Sequence, residues 1–218
     1  MFPRRAVVAL GACLLAATSA PADAAPDVHA TAAERPRAAP IPAASNALEL
    51  SFGTGYTQGF GSLERGVGFP SVAEGGVAFG LGIGYRIDPR WAVLWSGELQ
   101  EFDARRATGA RGFTSSIAGQ VHLAPTNRVD PWAELGAGYR ILWEDFARAP
   151  VLVTHGFQLG RLRVGVDFRA GRGGAVGPVV GADLNLLLFQ DAPSIQADVR
   201  DVRLSTFVFA GMQARFDL

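Results

Sequence analysis

The sequence predicts an all-β protein, an eight-stranded antiparallel transmembrane β-barrel, on three observations. Apolar residues alternate with small or charged ones along eight successive segments after Asn46. Each segment is about ten residues long, the length a tilted strand needs to cross a bilayer. The gaps after the first, third, fifth and seventh segments are long or polar and the others short, the asymmetry of a barrel with unequal rims.

Val77 to Ile87 shows the pattern most plainly. Val77, Phe79, Leu81, Ile83, Tyr85 and Ile87 share one face, because side chains alternate along a strand. The opposite face holds Ala78, Gly80, Gly82, Gly84 and Arg86. A half-buried strand of a water-soluble sheet puts Thr, Lys, Glu or Ser there. Near-bare glycine suits the narrow interior of a closed barrel whose apolar face meets lipid. A soluble lipocalin-like barrel would have to turn those glycines to solvent, where they weaken a strand.

The remaining strands follow in order. The first is Leu48 to Tyr56, with Leu48, Leu50, Phe52 and Tyr56 outward, followed by a glycine-rich loop to about Ala73. After the turn at Asp88-Pro89-Arg90, Trp91, Val93, Trp95 and Leu99 face out and Ser96, Glu98 and Gln100 face in. The fourth strand, Phe113 to Leu123, turns Ser116, Gln120 and His122 inward. Pro125 to Pro131 forms a turn, and Trp132 to Ile141 turns Glu134 and Arg140 inward. By parity Trp132 also points inward. Leu142 to Gly160 has no clean period, and the apolar set switches from odd to even positions at Gly160, which predicts a bulge there or a short non-strand piece before it. Ala170 to Gly174 is a turn. Val176 to Leu188 turns Asp183 and Asn185 inward, Gln190 to Arg203 is a polar loop, and Thr206 to Leu218 closes the barrel.

Ahead of the strands, Arg4 and Arg5, the apolar run Ala6 to Ala17 and Ala22-Asp23-Ala24 read as a secretory signal over 1–24. Leu10-Gly11-Ala12-Cys13 is similar to a lipoprotein box. The apolar run continues past it, which favours reading Cys13 as filler within the signal over an acylated residue. Residues 25–46 are alanine- and proline-rich and read as a flexible leader, leaving 47–218 for the barrel. Cys13 is the only cysteine, so no internal disulfide forms. All twenty basic residues are arginine, balanced by twenty acidic ones and scattered, with none of the basic stripes that bind nucleic acid.

Pro131-Trp132-Ala133-Glu134-Leu135-Gly136-Ala137-Gly138-Tyr139 resembles the proline-aromatic-x-x-Leu-Gly-x-Gly-Tyr strand of small bacterial outer-membrane barrels. The last strand, ending Phe216-Asp217-Leu218, resembles the signal read by the outer-membrane assembly machinery, although that signal usually ends in phenylalanine. The resemblance spans Leu48 to Leu218 and implies a barrel of the outer-membrane protein A or W type in a Gram-negative outer membrane. It implies outer-membrane lipid, lipopolysaccharide and the barrel assembly machinery as partners, and a monomer.

Several inward residues invite chemistry. Counting out from the Pro125–Pro131 turn sets His122 opposite Glu134, and with Ser116 nearby the set suggests a hydrolase. Outer-membrane lipid hydrolases, however, must offer their nucleophile at the lipid face or rim, so a structural lumen pair is the favoured reading. The inward charges Glu49, Arg86, Glu98, Glu134, Arg140, Arg161, Arg163, Asp167, Arg169, Asp183 and Arg215 are expected to pair and plug a lumen of this width. Counting from the Ala170–Gly174 turn pairs Arg161 with Asp183; a bulge one residue later would give Asp183 to Arg163 instead. Gly80, Gly82 and Gly84 lack the helix and G-K-S/T of a phosphate loop. His29 and His155 are isolated. No cofactor or metal is expected. The expected role is structural or surface-interacting without catalysis; the rivals are a passage or binding site for apolar solutes and a lipid hydrolase.

Overall fold

In a computed structural model of the chain, residues 41–218 are described apart from 106, 172, 193, 194 and 200, together with the side chains of 64, 195 and 196. The expected signal and most of the expected leader lie outside the described residues. The strands are β1 (Ala47–Glu64), β2 (Val67–Gly68), β3 (Gly76–Arg86), β4 (Trp91–Phe102), β5 (Gly109–His122), β6 (Val129–Asp145), β7 (Leu152–Arg169), β8 (Gly174–Ala192), β9 (Ile195–Asp198) and β10 (Leu204–Asp217), with a one-turn helix α1 (Phe69–Val72) between β2 and β3. Every neighbouring pair is antiparallel. The ladder runs β1-β3-β4-β5-β6-β7-β8-β10 and closes where β10 pairs with β1, Leu50 opposite Phe216 and Thr54 opposite Met212. Those eight strands are the barrel; β2 and β9 extend β1 and β8 as short hairpins at one end.

Alternation sorts the side chains as expected. Leu99, Ile117 and Leu135 are 61%, 65% and 69% exposed on the outside, while Arg140, Gln120 and Asn185 inside are 0% exposed. A water-soluble protein does the reverse; an apolar exterior around a polar interior is the pattern of a barrel set in lipid. No described helix is long and apolar enough to cross a membrane. Trp132 does point inward, and its indole lies on Gly165, where any Cβ would come within about 2.5 Å of the ring. Gly165 faces Trp132 across the ladder, so glycine there makes the room.

Three expected boundaries move. The glycine-rich loop after Tyr56 is strand as far as Glu64, and the aperiodic stretch Leu142 to Gly160 is mostly strand, divided between β6 and β7. The polar loop Gln190 to Arg203 contains the end of β8 and β9. Local pairing decides these: backbone groups leaving the bilayer still find partners on the next strand, whatever the side chains are. The bulge predicted at Gly160 is present, since the ladder slips between Gln158 and Gly160. Arg161 therefore faces inward, opposite Asp183.

The short turns 87–90, 123–128 and 170–173 share one end of the barrel, called the inner end here, and the longer connections the outer end. The last part of the segment read as leader is tied to the inner end: the Ile41 amide donates to Thr126 O at 3.0 Å, and Arg169 reaches Pro42 O at 3.5 Å. Strand lengths are unequal. β7 has 18 residues and β3 has 11, roughly 45 Å and 28 Å of height at a tilt near 40°. An apolar band is about 25 Å tall, so β6, β7 and β8 rise well beyond it on the outer side.

Candidate functional site

The interior of the barrel gathers the sequence's candidate residues, and it is filled in three levels. At the inner end, Arg86 pairs with Glu49 at 2.7 Å and Asp217 at 3.1 Å, and Arg215 pairs with Glu49 at 2.8 Å and with Asp167. The Trp132 indole N–H donates to Asp167 at 3.0 Å, and the Arg215 guanidinium lies 4.7 Å from the indole ring. Charges withdrawn from water are tolerable only when paired and bonded in this way.

His122 belongs to this level, and its partner is Asp130 rather than Glu134. Nδ1 lies 2.7 Å from the Asp130 carboxylate, which also accepts from the Ala124 amide at 2.9 Å. The expected pairing fails because the hairpin is tighter than the Pro125–Pro131 turn supposed. Asp130 and Pro131 are already strand, so His122 faces Trp132, and Gln120 faces Glu134. Asp130 was hidden in the sequence by its Asp-Pro context, which reads as a turn.

In the middle, Arg161 and Asp183 are cross-strand neighbours but not ion-pair partners. Asp183 is held by Arg140 at 2.8 Å, which also donates to Asn185 at 3.0 Å and Gln100 at 2.6 Å. Arg161 reaches across the lumen to Glu98 at 3.3 Å and Ser96 at 2.9 Å, and it also pairs with Glu134 on the neighbouring strand β6 at 3.5 Å. Arg163 pairs with Glu98 as well. Long guanidinium side chains span a narrow interior, so their partners lie across it as well as on the adjacent strand. Strand counting finds neighbours along the ladder and misses those across the lumen.

At the outer end the filling becomes apolar. Leu63 and the α1 segment, with Phe69, Val72 and Ala73, fold into the mouth against Phe102, Ala110, Leu142, Leu187 and Phe207. Phe69 stands edge-on to Phe207, ring centroids 4.9 Å apart. Gly59 lets the cap approach the wall, since a Cβ there would lie 2.7 Å from Phe69 Cδ1.

What this interior can do follows from the space left. A mid-lumen cavity bordered by Ser51, Ser96, Glu134, Arg161, Arg163 and Gln213 holds about 20 Å³, and an inner one bordered by Arg86, His122 and Asp167 about 10 Å³. Each has room for about one water. The hydrolase set is not assembled. Ser116 is six residues from His122 on β5, roughly 20 Å along the strand, and its hydroxyl is engaged by Gln158 at 2.5 Å and Arg161 at 3.1 Å. His122, Asp130 and Asp167 do bring one donor atom each within 4.8 Å of one another, a spacing open to a metal ion. Arg86 donates to His122 Nε2 at 3.1 Å and Arg215 bonds Asp167, so guanidinium groups already supply the positive charge there.

An apolar wall, a lumen packed with paired charges and a capped outer mouth define an eight-stranded antiparallel transmembrane barrel of the outer-membrane type. No family model matches the sequence, and no curated protein matches it. Among solved structures the chain is similar to Neisserial surface protein A, with a TM-score of 0.55 and 12% identity over 78% of this chain and 97% of that one. Also similar are the outer membrane protein OprG from Pseudomonas aeruginosa (TM-score 0.49, 13% identity, 80% and 98% covered) and Ail, the attachment invasion locus protein of Yersinia pestis (0.47, 13%, 79% and 100%). The likeness to the Neisserial protein is one of fold, and it agrees with the small-barrel resemblance read from the Trp132 strand.

Proposed function

We propose that this protein is a non-conducting barrel of the Gram-negative outer membrane with a structural or surface-interaction role and no catalytic activity. The supporting observation is the filled lumen: paired charges below, an apolar cap above, and spaces of only about 20 Å³ and 10 Å³ between the lumen ion pairs. Contacts with the surroundings then fall to the lipid-facing wall and the outer connections. In this reading residues 1–24 are a removed signal, 25–46 a leader on the inner side, and β10 the strand presented to the assembly machinery by a monomer within lipid and lipopolysaccharide.

Planar-bilayer recording of the refolded chain tests it. The expected trace stays at baseline, and reproducible ohmic steps overturn the sealed-lumen reading. Cell fractionation tests location, with the chain expected in outer membranes after a high-salt wash; recovery in the soluble periplasm overturns it.

A second reading, a binding site for apolar solutes, is favoured by one observation. Below the cap, Phe102, Leu142, Leu187 and Phe207 form an apolar chamber that Leu63, Phe69 and Val72 now occupy. A Gly59→Val chain, whose added methyls displace the cap, separates the readings. Saturable uptake of a hydrophobic fluorophore by that variant and by the native chain supports a solute site. Uptake by the variant alone leaves the cap a permanent part of the fold.

A further inference from the structure

Tyr139, His155 and Asp191 come from β6, β7 and β8 and form a hydrogen-bonded line on the outside of the wall. The Tyr139 hydroxyl lies 2.5 Å from His155 Nδ1, and His155 Nε2 lies 3.0 Å from an Asp191 carboxylate oxygen. An ionised carboxylate only accepts, so Nε2 carries a proton, and in the neutral imidazole Tyr139 then donates to Nδ1. The imidazole is thereby fixed in one tautomer and holds Asp191 in place. Phe189 lies against it, with ring centroids 5.3 Å apart and planes at 34°. The ladder sets His155 opposite Phe189 and Phe189 opposite Asp198, so the two carboxylates flank an aromatic ring. His155, Phe189, Asp191, Ala197 and Asp198 border an open cavity of about 350 Å³. His155 is fourteen residues along β7 from Arg169, roughly 35 Å above the inner turns. That is beyond an apolar band of about 25 Å, so the cavity faces the medium outside the bilayer.

We propose that this cavity binds an organic cation, an ammonium or guanidinium group seated between Asp191 and the face of Phe189. Three features carry this. Among the described residues no arginine is bonded to either carboxylate, and Asp191 is bonded by His155 alone, so the cavity offers two carboxylates to a cation. The Phe189 ring is 39% exposed and offers a face to a cation. Asp191 is held ready by His155 and Tyr139, which lowers the ordering cost of binding. A hydrated divalent ion would use the carboxylates alone, whereas an organic cation gains from the carboxylates and the aromatic face together. The proposal rests on the reading of a barrel set in a bilayer and does not depend on whether the lumen is sealed.

The test uses the full chain folded in detergent micelles, titrated with arginine amide and separately with magnesium, read by calorimetry and by the ring resonances of His155 and Tyr139. Arginine amide should saturate. Asp191→Asn should weaken it about tenfold, and Phe189→Leu and Tyr139→Phe each about threefold; the latter would act through the imidazole without touching the ligand. Heat-dependent gel mobility verifies that each variant is folded. Absence of saturation overturns the proposal, as does binding unchanged in Asp191→Asn. Magnesium that binds tighter than arginine amide and displaces it also overturns it, in favour of a metal site.

Discussion

Arg140 and Phe207 touch at the boundary between two ways of filling one barrel, the guanidinium carbon 3.8 Å from the ring centroid. Below them the wall's own inward side chains cross the interior as ion pairs, each strand contributing to several partners. Above them the inward side chains are mostly apolar or small, Phe102, Ala110, Leu142 and Leu187, with the buried Glu144 among them, and the space is closed by one borrowed segment, Leu63 to Ala73. The lower filling is directional and distributed, so losing one member strands a buried charge. The upper filling is non-directional and comes from contiguous chain, so it can loosen as a unit while the barrel stands.

The largest effect is expected in the lower filling. Glu98→Ala leaves Arg161 and Arg163 without their shared carboxylate and should destabilise the barrel by about 3–5 kcal/mol, measured by urea unfolding in lipid. A double-mutant cycle should find coupling between Arg140 and Asp183 and little between Arg161 and Asp183. The reverse outcome would restore the neighbour pairing along the ladder and break the cross-lumen account.

Phe69→Ala probes the upper filling. Removing a buried phenylalanine costs about 3–5 kcal/mol, but here the loss should appear as local opening. Proteolysis and hydrogen exchange between Leu63 and Ala73 should rise while the unfolding midpoint moves little. A full drop in the midpoint would show that cap and network form one cooperative unit.

Both fillings presuppose the outward belt. Leu81→Arg, on the lipid face of β3, should cost about 2–4 kcal/mol of folding free energy in lipid. Normal folding of that variant would invert the assignment of inside and outside.

The smallest effect concerns the ion pair beside the cap. Glu74 and Arg105 pair on the exposed outer side, where the Arg105 amide also donates to Ser71 O at 3.1 Å. The hydrogen bond from Arg105 holds the Glu74 carboxyl below its ordinary value. A carboxyl lowered in the folded state stabilises it above the unfolded pKa, and that contribution fades as pH falls through the folded pKa. Proteolysis of the cap should therefore rise slightly as pH drops below the ordinary glutamate range, and Glu74→Gln should abolish that dependence.

Much of this was legible in the sequence. Period-two alternation gave the strands, their inward and outward faces, and the slip at Gly160, because lipid on one side and a narrow interior on the other impose opposite demands at every second residue. The inward direction of Trp132, Glu98, Arg161 and Asp183 needed only parity. Which charge met which was decided by the tertiary structure, since closure brings β4 and β7 face to face across the lumen while the sequence records only the order of strands along the wall. The tight hairpin that gives His122 to Asp130 depended on where a turn begins, a matter of one or two residues that Asp-Pro chemistry leaves open. The cap had no period to betray it: Leu63, Phe69 and Val72 are apolar in a glycine-rich connection, and only the empty apolar mouth above Arg140 gives them somewhere to go. Tyr139, His155 and Asp191 are far apart in the chain, and the registers of β6, β7 and β8 alone set them in line.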